Sequence, residues 1–233
     1  APFAANAASE WSYEGETVPQ AWGDISEAYE VCKSGMMQSP IDLAEANAVG
    51  EVELSVHYVP SPLMILNNGH TVQANFAAGS TMKSGETVFP LVQVHFHTPS
   101  EHIVGDKVYP LVAHFVHATA DGKLGVLGIL FEEGEANAEL QKLVEAAPAE
   151  KADVSEVEGV SLDPNGLLPQ DLSVYRYMGS LTTPPCSEGV NWHVVKAPVS
   201  ASAEQIAALE EIMGMNARPV LPLNNRLLVA PGQ

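Results

Sequence analysis

Three histidines are spaced so that they could share one metal ion. His95 and His97 lie two residues apart in "QVHFHTPSEH" (93–102), and His114 lies in the next apolar segment. Side chains two residues apart on a β-strand point to the same side, so His95 and His97 are expected to project from one face. Antiparallel pairing of the two segments can bring His114 beside them. Three neutral imidazoles without a nearby thiolate favour Zn²⁺, and a fourth, open position is typical of catalytic zinc.

The spacing of these histidines alone also allows other interpretations. A single histidine on an apolar strand is more often a hydrogen-bonded core residue than a metal ligand. Cupins also use a His-x-His pair, although a cupin-type site needs a further His or Glu ligand. His102 and His117 have the opposite parity to their strand neighbours, so we expect both to point away from the ion. His57 and His193 suggest no functional role.

The segments around the histidines predict a mainly β fold with peripheral helices. Alternating, β-branched and aromatic residues predict strands, and "GDK" predicts a hairpin turn at 105–107. The Ala- and Glu-rich segment 144–158 is expected to be solvated surface. No linker, repeat or composition shift divides the chain, so residues 1–233 are expected to form one domain. The predicted strands cover 51–60, 91–97, 108–118 and 124–132.

Two helices are predicted from their capping residues. The first covers 137–147, with Asn137 as its N-cap. The second covers 202–214, where Ser202 and Gln205 form a capping box and Gly214 ends the helix.

The charge balance is strongly acidic, with 10 Lys and Arg against 29 Asp and Glu and a formal net charge of −19. Such a surface repels nucleic acid and anionic membranes, so neither is expected as a partner. The charge either keeps the protein dispersed or reflects adaptation to high salt, where counterions screen the repulsion. No apolar run approaches the ~18 residues needed to span a bilayer. Hydrophobic residues make up 46% of the chain, which is enough for a sizeable core and argues against disorder.

The two cysteines, Cys32 and Cys186, are far apart in the sequence. A bridge between them would close a loop of about 150 residues and add ~4–5 kcal/mol on the chain-entropy model. Two unrelated buried thiols are an equal alternative on spacing alone. The opening segment "APFAANAASE" has no initiator Met and no basic-then-apolar leader, so we expect that a secretory signal has been removed.

Five segments in a fixed order carry a resemblance to a known family. They are "QSPID" (38–42), "NNGH" (67–70), "QVHFHTPSEH" (93–102), "AHFVH" (113–117) and "SLTTPPCSEGVNWHV" (180–194). Together they resemble the α-class carbonic anhydrases of the bacterial or extracellular type. The resemblance extends from "WSY" (11–13) to "NNR" (224–226), nearly the whole chain.

The resemblance implies a large, twisted, mostly antiparallel central sheet with short peripheral helices. It also implies zinc at the bottom of a conical cleft and reversible hydration of CO2 to bicarbonate and a proton by zinc-bound hydroxide. Such an enzyme is a carbonate dehydratase, a zinc lyase. By matched position His95, His97 and His114 would be the zinc ligands. Thr182 would accept the hydrogen bond of the hydroxide and donate its own proton to Glu101, which fits a hydroxyl with one proton to give.

Further matched positions surround these residues. His70 in "NNGH" would be the proton shuttle, since a histidine titrates near neutral pH. Gln93 would orient His95, and Asn68 would support the site without binding the metal itself. Without the resemblance, "NNGH" predicts only a hairpin turn.

Apolar positions near the predicted zinc match the family's CO2 site. The resemblance assigns the apolar wall to Val116, Val126 and Leu181, with Thr183 as a further substrate contact. Without the resemblance, two threonines before two prolines in "LTTPP" would predict a turn.

The resemblance also bears on the cysteines and on partners. Cys32 and Cys186 match the pair that bacterial and extracellular members bridge. The implied partners are CO2 and bicarbonate, the implied state is a monomer or homodimer, and the implied location is periplasmic or secreted.

One position departs from the family pattern. Family members usually have a glutamate two residues before the third zinc histidine, and here that position is Val112. Loss of such a partner typically costs ~10–100-fold in metal affinity or activity. An alternative function is therefore a carbonic-anhydrase-like binding module with impaired catalysis.

Overall fold

The computed structural model describes residues 10–232, which include every candidate site residue named above. Residues 1–9 and 233 lie outside the described residues, and with them most of the opening segment from which a removed signal is expected.

Strands dominate the described chain, and four α-helices accompany them. The helices are α1 (Trp22–Ile25), α2 (Val31–Ser34), α3 (Ala138–Ala146) and α4 (Ala203–Met213). The strands are β1 (Ala48–Val49), β2 (Leu54–His57), β3 (Ser61–Asn67), β4 (Val72–Asn75), β5 (Thr81–Ser84), β6 (Thr87–His97), β7 (Leu111–Ala118), β8 (Leu124–Glu133), β9 (Ala152–Leu162), β10 (Val174–Ser180), β11 (Glu188–Val195), β12 (Val199–Ala201) and β13 (Val229–Ala230).

These strands form one large sheet, which confirms the predicted fold class. The main order is β1-β13-β10-β11-β8-β7-β6-β4-β3-β9, with β12 beside β8, β5 beside β6 and β2 beside β5. The pairs are antiparallel except for β1–β13, β8–β11 and β8–β12. The central strands β6, β7 and β8 are rich in β-branched and aromatic residues, which pack well on a pleated, buried surface.

The two faces of the central strands have different roles. Val94 and Phe96 of β6 enter the larger hydrophobic core, together with Ala113 and Phe115 of β7. Helices α3 and α4 cover this face and contribute buried leucine and isoleucine side chains to it. Because side chains alternate along a strand, the intervening histidines of β6 and β7 project from the opposite face.

The predicted helices are confirmed together with their caps. Asn137 accepts hydrogen bonds from the backbone nitrogens of Glu139 and Leu140 at the start of α3. Ser202 and Gln205 form the reciprocal capping box of α4, and Gly214, with a φ of 66°, ends that helix.

The predicted strands are confirmed with altered bounds, and the segment predicted as solvated surface also contains part of a strand that was not predicted. The strand predicted at 51–60 shortens to β2, and the turn at 105–107 is present, closed by two backbone hydrogen bonds between Val104 and Lys107. That turn lies within a longer connection, since β6 ends at His97 and β7 begins at Leu111. Segment 144–158 contains the end of α3 and the first part of β9. It is mostly exposed as expected, but edge pairing with β3 makes part of it a strand.

Candidate metal centre

Strand pairing brings the three predicted histidines together. His95 of β6 lies opposite His114 of β7 in the antiparallel register, and His97 lies two residues further along β6. The ring centroids are 5.1 Å apart for His95 and His97, 5.3 Å for His95 and His114, and 4.7 Å for His97 and His114. One ring nitrogen from each residue lies within 4.8 Å of the others. This triangle is compact enough for one metal ion to contact all three rings.

Two of the rings are fixed by hydrogen bonds that leave one nitrogen available. Nδ1 of His95 is 2.8 Å from Oε1 of Gln93, and Nδ1 of His97 is 2.7 Å from the backbone oxygen of Asn216. Both acceptors place the ring proton on Nδ1, so Nε2 keeps its lone pair. Nε2 of His97 is fully buried without a hydrogen-bond partner in the described chain.

His114 has no such support. Nδ1 of His114 is 3.9 Å from Oε2 of Glu101, which is too long for a hydrogen bond, and Nε2 is buried without a partner among residues 10–232. Whichever nitrogen bound a metal, the other would lack an acceptor. Val112, on the same strand two residues earlier, is fully buried and apolar. Over the described residues, no other side chain takes the place of the carboxylate expected there.

Burial favours the neutral form of two of the three rings. It lowers the pKa of His95 and His114 well below the usual value, and His97 lowers both further. Neutral imidazoles are the form that binds metal. One ring nitrogen from each of the three histidines lies within 4.8 Å of the others, a spacing that a single ion can bridge, so the donor set fits a zinc ion.

A buried carboxyl group lies behind the histidines. Glu101 is 1% exposed, and its Oε1 accepts a hydrogen bond of 2.9 Å from the backbone nitrogen of Arg218. Burial raises the pKa of Glu101, whereas His97, the Arg218 backbone and the Thr182 hydroxyl lower it. Thr182 is also buried and lies beside this carboxyl group, although Oε2 has no hydrogen-bond partner within direct distance among the described residues.

A cleft of about 130 Å³ opens in front of the histidines. Its walls combine aromatic and polar side chains: Trp11, Tyr13, Asn68, His70, Thr71, Gln73, Gln93, His95, His97 and Thr183.

His70 stands on the rim of this cleft, in the loop that joins β3 to β4. The segment "NNGH" forms the predicted hairpin turn, and the same turn places His70 in the lining of the cleft. Oδ1 of Asn68 accepts hydrogen bonds of 2.9 Å from the backbone nitrogens of His70 and Thr71. The His70 ring stacks on Trp11 with centroids 3.7 Å apart. Partial burial lowers the pKa of His70, Lys151 lowers it further, and Glu10 opposes them.

The predicted apolar wall lies on the same sheet face as the histidines. Val116 and Val126 are opposite each other in the β7–β8 register, and Leu181 packs against the same hydrophobic cluster. Thr183 lines the cleft itself. Its backbone oxygen accepts from the nitrogen of Cys186, so "LTTPP" forms the expected turn as well.

The disulfide prediction is confirmed. Cys32 and Cys186 are bonded, with a sequence separation of 154 residues. The bridge packs with Trp22 in a small aromatic cluster that includes Trp11 and Tyr13 of the cleft wall.

The remaining histidines have other partners. Nε2 of His102 is 2.6 Å from the Tyr177 hydroxyl, and Nε2 of His117 is 2.7 Å from the Tyr58 hydroxyl. Burial lowers the pKa of His102 to about 3 and that of His117 to about 4. Neither belongs to the triangle, as expected from their parity.

Two residues that the sequence reasoning missed hold the centre from one loop. Besides its bond to His97, Asn216 donates to the backbone oxygens of His70 and Phe96 and so links the shuttle candidate to β6. Arg218 bonds Glu101 through its backbone nitrogen. The bonds to His97 and Glu101 use backbone atoms of Asn216 and Arg218, which have no side-chain signature, so no sequence signal identified these two contacts.

Comparisons with known proteins agree on one family. Residues 17–231 match the family described as eukaryotic-type carbonic anhydrase. A carbonic anhydrase of Klebsiella pneumoniae is 42% identical over 225 residues, which cover 95% of this chain and 91% of that protein.

Solved structures show the same likeness. The α-carbonic anhydrase of Thermovibrio ammonificans, in complex with the inhibitor sulfanilamide, has a TM-score of 0.89 and 42% identity, over 96% of this chain and all (100%) of that chain. The α-carbonic anhydrase of Photobacterium profundum has a TM-score of 0.88 and 43% identity, over 94% of this chain and 100% of that chain.

Proposed function

Because the chain belongs to the α-class carbonic anhydrase family, a family of carbonate dehydratases, we propose that it is a zinc enzyme that hydrates CO2 reversibly to bicarbonate and a proton. The observation that carries the proposal is the triangle of His95, His97 and His114 beside the cleft, in which Nε2 of His97 and Nε2 of His114 are buried without a partner among residues 10–232. These three residues would hold the zinc ion. Zinc in such a site supplies a hydroxide nucleophile at neutral pH by lowering the pKa of water to about 7.

The ligand rings are held in place by neighbouring oxygens. The Gln93 side chain and the Asn216 backbone fix the His95 and His97 rings in the orientation and tautomer that direct Nε2 into the triangle. Such support reduces the reorganisation needed when the metal binds.

Thr182 and Glu101 would orient the attacking oxygen. Glu101 is anchored by the Arg218 backbone, so its second oxygen is the available acceptor for the Thr182 hydroxyl. A threonine that gives its single proton to a carboxylate can only accept from any other group. The attacking oxygen would then donate to Thr182 and direct a lone pair at the CO2 carbon, which is a positioning effect.

CO2 has no charge and needs no strong polar anchor, so an apolar surface suits it. Val116, Val126 and Leu181 belong to one hydrophobic cluster on the face of the sheet that holds the histidines, and Thr183 lines the cleft. We assign the substrate to this surface.

His70 would take up the product proton and release it to buffer. Its loop is held by Asn68, and its ring lies at the cleft rim against Trp11. The lowered pKa makes the neutral ring the main form at pH 7, which is the form that can accept a proton.

The disulfide supports a periplasmic or secreted location, because such bonds persist in oxidising compartments. In the described part of the chain, every helix is too short or too polar to cross a membrane.

The proposal is tested by stopped-flow CO2 hydration on purified protein with bound zinc counted on the same sample. We expect one zinc per chain and fast hydration that a chelator abolishes. Thr182→Val, which keeps the shape and removes the hydroxyl, is expected to lower the rate about 100-fold, since small misplacements of reacting groups cost that much. Thr81→Val, the same change on β5, is the matched control and is expected to leave the rate unchanged.

A second candidate is a binding module that keeps the fold with impaired catalysis. The unsupported His114 ring next to Val112 is the observation that favours it. One zinc per chain with no hydration would support this candidate and contradict the enzyme.

A further inference from the structure

A second cleft lies beside the disulfide, outside the metal centre. It measures about 270 Å³ and is lined by residues that include Pro19, Cys32, Lys33, Arg218, Pro219 and Leu221. We call it the Arg218 cleft. It is slightly smaller than the ~300 Å³ at which drug-sized pockets begin, so its size suits a small molecule.

Arg218 is an unusual residue for the wall of a cleft because it is only 3% exposed. Its Nη1 donates to Oε1 of Gln38 and to the backbone oxygen of Ser39, both at 2.9 Å, and its Nη2 donates to the backbone oxygen of Cys32 at 3.0 Å. All three acceptors are neutral. A guanidinium has five N–H groups, so Nε and one hydrogen of Nη2 have no acceptor within the described chain.

The charge of Arg218 is also without a close counter-ion. No carboxylate of residues 10–232 lies within 4.0 Å of the guanidinium. Glu101 acts on it from further away and is already bonded to the Arg218 backbone. The Trp22 ring lies 5.6 Å from the guanidinium carbon and is its cation–π partner. A buried charge is costly unless it is paired and hydrogen-bonded, so without a close anion this guanidinium is incompletely compensated.

The other lining residues fit an anion with an apolar body. Lys33 also lines the cleft, with its ammonium paired to Asp24 at 2.7 Å, and no acidic residue of the described chain is among the lining residues. Pro19, Pro219 and Leu221 supply apolar contacts. The Arg218 charge without a close counter-ion occurs in a protein with a net charge of −19, where a small anion would meet repulsion over most of the surface.

We propose that the Arg218 cleft binds a small organic carboxylate. The carboxylate accepts hydrogen bonds from the unused N–H groups of Arg218 and lies near the Lys33 ammonium, and its apolar part contacts the prolines and Leu221. Planar carboxylates match the guanidinium fork, which makes this class a better fit than a neutral ligand.

Benzoate is the probe, and the zinc-loaded ¹⁵N-labelled protein is titrated with it by NMR. We expect saturable shifts of the Cys32, Lys33 and Arg218 amides, with a dissociation constant in the millimolar range that suits so small a ligand. Benzamide, which has the same shape without the charge, is expected to leave these amides unshifted. A shift confined to residues around His95 would mean binding at the metal centre instead and would overturn the proposal.

Two exposed lysines provide a matched pair of variants. Lys33 pairs with Asp24 at 2.7 Å, and Lys123 pairs with Asp121 at 3.5 Å, with similar side-chain exposure in both pairs. Lys33→Glu is expected to weaken benzoate binding about fivefold, because a surface attraction is replaced by a repulsion. Lys123→Glu is expected to change it less than twofold.

Leu221→Asp tests the cleft while the Arg218 side chain itself is kept. A carboxylate at this position competes for the guanidinium, so benzoate binding is expected to be lost. Equal binding by the parent, Lys33→Glu and Leu221→Asp proteins, or equal shifts with benzamide, would refute the proposal.

Discussion

Replacing Val112 by glutamate tests how much the unsupported His114 ring costs this protein. When one imidazole nitrogen binds a metal, the other carries the ring proton and needs an acceptor. His95 and His97 have one, whereas His114 has none within the described chain. Val112 projects from the same face of β7 as His114, so a longer side chain there extends toward the ring.

The expected magnitude follows from the buried, unpartnered nitrogen. An unsatisfied buried donor costs ~1–3 kcal/mol. At about 1.4 kcal/mol per factor of ten, recovering this energy in the metal-bound state corresponds to roughly 10–100-fold. The same range is typical for partners of metal-bound histidines. We therefore expect Val112→Glu to slow zinc loss about 10–100-fold.

The assay is the first-order rate of zinc transfer to an excess of a chromophoric chelator. Val112→Gln has the same length without the charge, so it is expected to slow zinc loss by a smaller factor. Val112→Leu adds apolar volume only and is expected not to slow it. A Val112→Glu protein with native near-ultraviolet circular dichroism and a zinc-loss rate within twofold of the parent would refute the reasoning.

Val112→Glu also has a cost in the stability of the fold. A carboxylate buried without a partner destabilises a fold by several kcal/mol. Nδ1 of His102 is a second buried nitrogen without a partner among residues 10–232, and its ring centroid is 6.4 Å from that of His114. If the introduced carboxylate accepts a hydrogen bond from the ring of His102 or His114, the free energy of unfolding should fall by much less than several kcal/mol. Urea denaturation of the zinc-loaded proteins measures it.

Four further predictions concern other parts of the molecule. His70→Ala is expected to lower the CO2 hydration turnover in dilute buffer at least ~100-fold, as measured by stopped flow, with recovery when imidazole buffer is added. Replacing Cys32 and Cys186 by alanine is expected to lower the free energy of unfolding by about 5 kcal/mol on the chain-entropy model for so long a loop, as measured by urea denaturation. The free energy of unfolding should also fall as the pH decreases from about 6.5, because burial lowers the pKa of His117 to about 4 and of His193 to about 3. These rings stay neutral in the fold and take up protons on unfolding, at up to about 1.4 kcal/mol per pH unit for each ring. If the acidic surface is an adaptation to high salt, the melting temperature rises between low and molar NaCl.

The outcomes that contradict these four predictions are distinct. Unchanged turnover of His70→Ala in dilute buffer would exclude it as the shuttle. An unfolding free energy within 1 kcal/mol or so of the parent would mean that the long loop adds little entropy to the unfolded chain. His117→Gln should flatten the pH dependence above about pH 4, and an unaltered slope would assign it to other groups. A melting temperature that does not rise with salt would contradict adaptation to high salt. The acidic charge would then be explained by repulsion that keeps the protein molecules dispersed.

Local features of this protein were readable from the sequence because they depend on neighbours in the chain. The alternation of a strand places His95 and His97 on one face, whatever the rest of the fold does. The caps at Asn137 and Ser202 use a side chain and backbone nitrogens two or three residues away, so sequence spacing is sufficient to predict them.

The length of individual strands was less predictable. Segment 144–158 is acidic and exposed, and its composition is that of solvated surface. It nevertheless forms part of β9 because β3 offers an edge with unpaired backbone groups, and backbone pairing does not depend on a hydrophobic pattern.

The tertiary structure alone decided how the metal centre is completed. The register that sets His114 opposite His95 is a property of two paired strands and not of either segment. The backbone oxygen of Asn216 is hydrogen-bonded to His97, and the backbone nitrogen of Arg218 is hydrogen-bonded to Glu101. More than a hundred residues separate the two partners of each bond. Every residue has such backbone atoms, so only their position in space can identify them. The sequence therefore specifies which side chains can bind a metal, and the folded sheet and its loops specify which of them meet and what holds them.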